Sequence, residues 1–226
     1  MIKMKQSFSL QEKSLWTING VRYRDITTSV DLSQKLLPSM TQDKLAKYTK
    51  ENKDNFHGAS FPFYHVLFTT LYNHKENKEY KKGVEEVRYF INESMLNHYL
   101  NTLTRLKYNS SGKDLIIHDY KQPNQKIVKL DSMVGEDGSI TEIKNIENLL
   151  KVLLGTKQSV EEINSVYNWL TGSNAYLFRI NETPDQSLET VSGFSASSNR
   201  AYLGCYRNPT DSDSGLGSRG ASCKIF

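Results

Sequence analysis

The sequence predicts an α+β protein. Three observations carry this. An Asn-Gly pair sits between alternating segments near the start, helical patterns fill the middle, and strand-like segments resume after Asn109 with two helical patterns among them. Strands and helices do not alternate regularly, which argues against a doubly wound parallel sheet. The expected order is an N-terminal β hairpin, a central helical block, and a C-terminal, mostly antiparallel sheet with a two-helix insertion.

The hairpin is read from Leu15, Trp16, Thr17 and Ile18, then Asn19-Gly20, then Val21, Arg22, Tyr23 and Arg24. Asn and Gly both tolerate the positive φ of a type I′ turn, so the turn is placed there. Thr41 caps the helix "QDKLAKYTKEN", with Asp43 near its positive end and Leu45 and Tyr48 on its apolar stripe. Pro62 suits the first turn of "PFYHVLFTTLYNHK", which is apolar on most sides and therefore central. The longest helix is expected over "VEEVRYFINESMLNHYLNTLTRL". There Val84, Val87, Ile91, Met95, Tyr99 and Leu103 recur at intervals of three and four, and the helix ends near Leu106 to Tyr108.

After the turn "NSSG", the strands "DLIIHDY" and "KIVKLDSMV" follow. Two helices then interrupt, "NIENLLKVLLG" and "VEEINSVYNWL". Ser159 with Glu162 forms a capping box, and Gly155 and Gly172 act as stops. Strands resume at "AYLFRI", "LETVSGF" and "RAYLGCYR". The tail from Asn208 reads as loop, with Ile225 and Phe226 free to dock. The pattern fits one α+β domain over 1–226, or two lobes, 1–108 and 109–226, meeting near Asn109 to Lys113.

The composition is that of a globular chain on the polar side, 37% hydrophobic and 24% charged, so wholesale disorder is not expected. Net charge is +4, which permits an anionic ligand or nucleic acid without requiring one. No apolar run approaches the ~20 residues of a membrane helix, and no secretory signal is read at the start. Cys205 and Cys223 lack clustered Cys or His partners, so free thiols in a reducing cytoplasm are expected. The phosphate-loop, dinucleotide, kinase, zinc-protease and calcium motifs are all absent, so no cofactor or metal is expected.

Two constellations could carry chemistry. The first is "RLKYNSSGKDLIIHDY". Alternation places His118 and Tyr120 on one strand face as catalytic candidates, with Arg105, Tyr108 and Lys113 nearby as ligand-binding ones. Arg supplies a fork for phosphate and His a proton carrier near neutral pH. In the simpler reading, Arg105 caps a helix end and His118 is an ordinary half-buried strand residue.

The second constellation is Tyr176, Arg179, Arg200, Tyr202, Tyr206 and Arg207. Alternation puts Tyr176 with Phe178 on one face and Leu177 with Arg179 on the other. It also puts Arg200, Tyr202, Gly204 and Tyr206 together. Such a surface can stack bases and bind phosphates; equally, cross-strand aromatic pairs stabilise a sheet.

Three functions follow as expectations. The first is a soluble intracellular binding or regulatory protein for a nucleotide or single-stranded RNA. The second is a small metal-independent hydrolase or phosphodiester-cleaving enzyme using His118 and Arg105. The third is a protein-interaction component. Convergence of Arg105 with His118 favours the second, and a continuous Arg/Tyr sheet surface favours the first.

Overall fold

The structure, a computed structural model, describes residues 15–110 and 112–220. These form five helices and ten strands in two sheets.

Strands β1 (Leu15–Tyr23) and β2 (Ile26–Met40) form the N-terminal hairpin. Its turn is not at Asn19-Gly20. It is the two-residue link Arg24-Asp25, where φ is 49° and 64° and Tyr23 pairs with Ile26. Both central residues thus have the positive φ that twist-matched hairpin turns require. Gly20 also has positive φ, 75°, but as part of a bulge where pairing slips between Ile18 and Val21. The extra residue has a purpose. Without it Val21 and Tyr23 would face away from Trp16 and Ile18; with it all four are buried together.

Helix α1 (Gln42–Glu51) starts at the Thr41 cap, whose side chain accepts from Lys44 N–H. Helix α2 (Phe61–His74) is buried on most of its surface, as its composition predicts. Helix α3 spans Lys81–Asn97, shorter than the periodicity predicts. The chain turns extended at His98 and continues as strand β3 (Leu100–Tyr108). Eight of the nine β3 residues are buried, so apolar side chains occur at helical spacings by accident. A strand covered on both faces has no period to read.

Strands β4 (Asp114–His118) and β5 (Lys126–Leu130) follow, then the short β6 (Gly138–Ser139). Helices α4 (Glu147–Leu153) and α5 (Val160–Thr171) form the insertion. The Ser159/Glu162 capping box is present, and Gly172 closes α5 in the left-handed conformation. Strands β7 (Ala175–Phe178), β8 (Leu188–Ser197) and β9 (Arg200–Arg207) lie where the sequence predicts them.

The tail is not all loop. Asp213–Gly220 is strand β10, paired antiparallel with β2. Cys223, Ile225 and Phe226 lie outside the described residues.

The small sheet runs β1-β2-β10 and the large one β5-β4-β3-β8-β9-β7-β6. In the large sheet only β7 with β9 is parallel; the other pairs are antiparallel. The stretch 109–113 joins the paired strands β3 and β4. One continuous core runs from Trp16 to Leu216 and takes in α2 to α5 and one face of the large sheet, called here the inner face. On the outer face, α1 and the end of β2 cover β3 through Leu37, Leu45, Ala46 and Leu103. No helix among the described residues is long and apolar enough to cross a membrane.

Candidate functional site

Position in β3 decides the fate of the first constellation. Thr104 and Arg105 are neighbours in an extended strand, so their side chains leave on opposite faces. Thr104 points inward and meets His118 Nδ1 at 3.1 Å. Arg105 points outward, beneath α1. Arg105 and His118 therefore do not converge.

Arg105 is buried and fully engaged. Nε donates to Gln42 at 2.7 Å, and the two terminal nitrogens reach Asp43 at 3.2 Å and Glu189 at 3.0 Å. The guanidinium also donates to the Tyr120 hydroxyl and lies 3.8 Å from that ring's centroid. Asp43 is held below the usual carboxylate range by Lys121 and Arg105, against the opposing effect of burial. The cluster ties β3 to α1 and β8. Nor is Arg105 at a helix end, as the simpler reading has it.

His118 and Tyr120 do not share a face either. β4 ends at His118, and Asp119 has φ 52°, which turns the chain so that Tyr120 packs with Leu103 and Leu45. His118 Nε2 meets the Val152 carbonyl at 3.0 Å, and a carbonyl can only accept. Nε2 therefore carries the proton, and Nδ1 accepts from the Thr104 hydroxyl. That hydroxyl in turn accepts from Phe61 N–H at 3.0 Å. Burial pushes the His118 pKa down to about 4, and Arg24 and Lys126 push the same way. The imidazole is neutral at pH 7 with both nitrogens occupied, a poor proton carrier.

Tyr108 is fully buried and donates to the Cys205 carbonyl, while Lys113 pairs on the surface with Asp131. Arg105 and Tyr108 are three apart in a strand, not a helix, and so diverge.

The second constellation is brought together on the outer face. In β7, Tyr176 and Phe178 face outward and Leu177 inward; in β9, Arg200, Tyr202 and Tyr206 face outward. Arg200 lies 4.3 Å from the Tyr176 centroid, and Tyr176 meets Tyr202 at 5.8 Å. Phe178 meets Tyr206 at 4.2 Å, and Tyr206 meets Tyr99 at 6.2 Å. The rings form a pair, Tyr176–Tyr202, and a trio, Phe178–Tyr206–Tyr99, on the outer face of β7 and β9. Tyr206 is 38% exposed, so the trio is open to solvent. Arg200 has no carboxylate partner among the described residues.

Two members differ from the rest. Arg179 faces inward and donates to the carbonyls of Met133 and Glu136. Arg207 lies 5.6 Å from the Tyr99 ring centroid, but Asp213 holds it bidentately and Asp211 adds a third contact. Its charge is already balanced.

Tyr99 was missed because the helical reading placed it on a core stripe. Its ring crosses Gly193 and Gly204, and a Cβ at those positions would come within 2.4 Å and 2.8 Å of it. Glycines at matching positions of adjacent strands were the available signal. Among the described residues, no three His, Cys, Asp or Glu side chains form a metal-binding group. Cys205 is a free, buried thiol whose pKa burial pushes up to about 12, outside the range of a reactive thiolate.

No family model, no curated protein and no solved structure matches this chain.

Proposed function

We propose that the chain binds single-stranded RNA or a nucleotide across the outer face of β7 and β9. The observation that carries the reading is the set of rings on one sheet face, the pair Tyr176–Tyr202 and the trio Phe178–Tyr206–Tyr99, with Arg200, which has no carboxylate partner among the described residues, against Tyr176. Bases stack on such rings without sequence preference, and an arginine beside them takes the phosphate. Covering the rings removes apolar edge from water, which the sheet alone does not do. The enzyme expectation loses its support, because it needs His118 and Arg105 in one place.

Fluorescence anisotropy with labelled single-stranded oligonucleotides and the matching duplexes tests this. Single strands should bind and duplexes should not, since paired bases cannot stack on the sheet. Tyr202→Ala should weaken binding by about 1–3 kcal/mol for the base it stacks. Arg200→Ala should weaken binding and flatten its dependence on salt, because one phosphate contact is lost. Equal binding of duplex, or no effect of Tyr202→Ala, would refute the reading.

A further inference from the structure

We propose a second site, on the inner side of the molecule, that binds a small phosphorylated compound carrying at least two negative charges. The site is a cleft of about 410 Å³ whose charged lining is Arg22, Arg24, Lys126 and Lys157 with one carboxylate, Asp25; Tyr23 and His118 also line it, and Pro62 and Val66 form an apolar wall. That volume lies within the range of small-molecule sites.

Four cations reach the cleft from three separate segments. Arg22 and Arg24 come from the β1–β2 hairpin, Lys126 from the start of β5, and Lys157 from the α4–α5 connection. Arg22 is 3.7 Å from Asp25, and Arg24 is paired with Asp119. Lys126 and Lys157 have no ion pair among the described residues. The two lysines are the charges left uncompensated, and an anion seated in the cleft balances them.

The cations rest on a rigid frame. Arg24 donates to Asp119 and to the Asn124 carbonyl at 3.0 Å, which leaves its remaining N–H groups for a ligand. Behind it the Tyr23 hydroxyl, 3.0 Å from Ser60 Oγ, donates to Asp119. Lys157 is placed by its neighbours. Gly155, at φ 60°, lets the connection press on Pro62, where a Cβ would come within 2.8 Å. Gln158 meets His65 Nε2 of α2 at 2.8 Å, and His118 holds Val152. The frame fixes Arg24 and the backbone from which Lys157 extends, so only the exposed lysine and Arg22 side chains have to order when the anion binds.

The cleft and the aromatic rings lie on opposite faces of the large sheet, so neither reading rests on the other.

Isothermal titration calorimetry with inorganic pyrophosphate tests the proposal, beside ribose 5-phosphate and a 5′-phosphorylated oligonucleotide. Pyrophosphate should bind one to one, and the sugar phosphate at least measurably. Lys126→Ala and Lys157→Ala should each weaken binding about tenfold, the effect of one charged hydrogen bond. Lys129→Ala, an exposed lysine of the same strand outside the cleft, should leave it unchanged. Failure of pyrophosphate to bind, or equal weakening by Lys129→Ala, overturns the proposal. Binding confined to the oligonucleotide overturns it too, since the cleft would then hold no small compound. All three lysines are exposed, so unchanged melting temperatures should confirm that the variants are folded.

Discussion

Gly193 and Gly204 are paired across β8 and β9, and the ring of Tyr99 occupies the space their missing side chains leave. Tyr99 donates to the carbonyls of Val191 and Gly204, and burial raises its pKa well above the usual tyrosine value. A methyl group at Gly193 would also meet the Leu100 carbonyl at 2.6 Å, a backbone atom that cannot swing aside. Gly193→Ala should therefore cost about 1–3 kcal/mol, the usual penalty for overpacking. Thermal unfolding measures it. Because Tyr99 supports Tyr206, the same variant should also weaken single-strand binding. If stability and binding are both untouched, the ring does not occupy the trough.

Arg105 should behave as a structural residue. Removing it breaks a buried ion pair, and Arg105→Ala should cost about 3 kcal/mol, the low end for such a change. The low end applies because Asp43 and Glu189 keep 56% and 42% of their side-chain surface exposed and can rehydrate. Arg105→Lys should recover only part of this, since an ammonium cannot reach Gln42, Asp43 and Glu189 as a planar fork does. Urea titration gives the stability of both variants. Binding of single-stranded RNA should follow the folded fraction alone; a specific loss of binding at full stability would return Arg105 to a ligand role.

Acid should destabilise the protein through its histidines. Burial holds the pKa of both His118 and His65 at about 4, below the unfolded value near 6.5. Between those values the unfolded chain binds protons that the folded one refuses. Stability is therefore full above about pH 6.5 and falls as pH drops toward 4, by on the order of 3 kcal/mol for each ring. Asp119 acts in the opposite sense, because burial raises its folded pKa. Melting temperatures of the parent and His118→Gln over pH 4 to 8 check this. The variant should have the shallower acid slope, and parallel curves would exclude His118 as a source.

The elements legible in the sequence are those whose signal is local. Thr41, Ser159 with Glu162, and Gly172 mark helix ends through their own hydrogen bonds or backbone angles, and the structure uses each as read. Alternation in β7 and β9 was legible because one face is buried and the other open. β3 has no such contrast, and Tyr99 and Leu103 fell by chance on the continuing helical spacing of Val84, Val87, Ile91 and Met95. β10 was hidden because Gly215 and Gly217 supply no strand pattern. They are there for close approach, to the Asn101 carbonyl and to Phe56. β2 was hidden in part by Pro38, which falls where its pairing with β10 slips between Leu37 and Met40. The cleft is a tertiary product: residues 22, 126 and 157 have no sequence relationship that could announce it.

The hairpin offers a test in which two glycine exchanges should have opposite signs. Gly20 sits at φ 75° in the bulge of β1, and Asp25 at φ 64° in the turn. At Gly20 any side chain meets the left-handed penalty, and a β-branched one more so. Gly20→Val should cost at least about 1–2 kcal/mol on that account. Beyond this strain, the bulge sets which way Val21 and Tyr23 point, so losing it would turn two core residues toward water. Asp25→Gly does the reverse. It relieves the penalty at a position whose side chain is almost fully exposed and whose 3.7 Å contact with Arg22 is worth little in water. The gain is limited by the extra freedom of glycine in the unfolded chain, so stability should rise by no more than about 1 kcal/mol. Paired urea titrations on the two variants decide the matter. A fall in both would mean that Asp25 contributes more to the turn than its backbone angle, and a rise in both would mean that the bulge does not set the register.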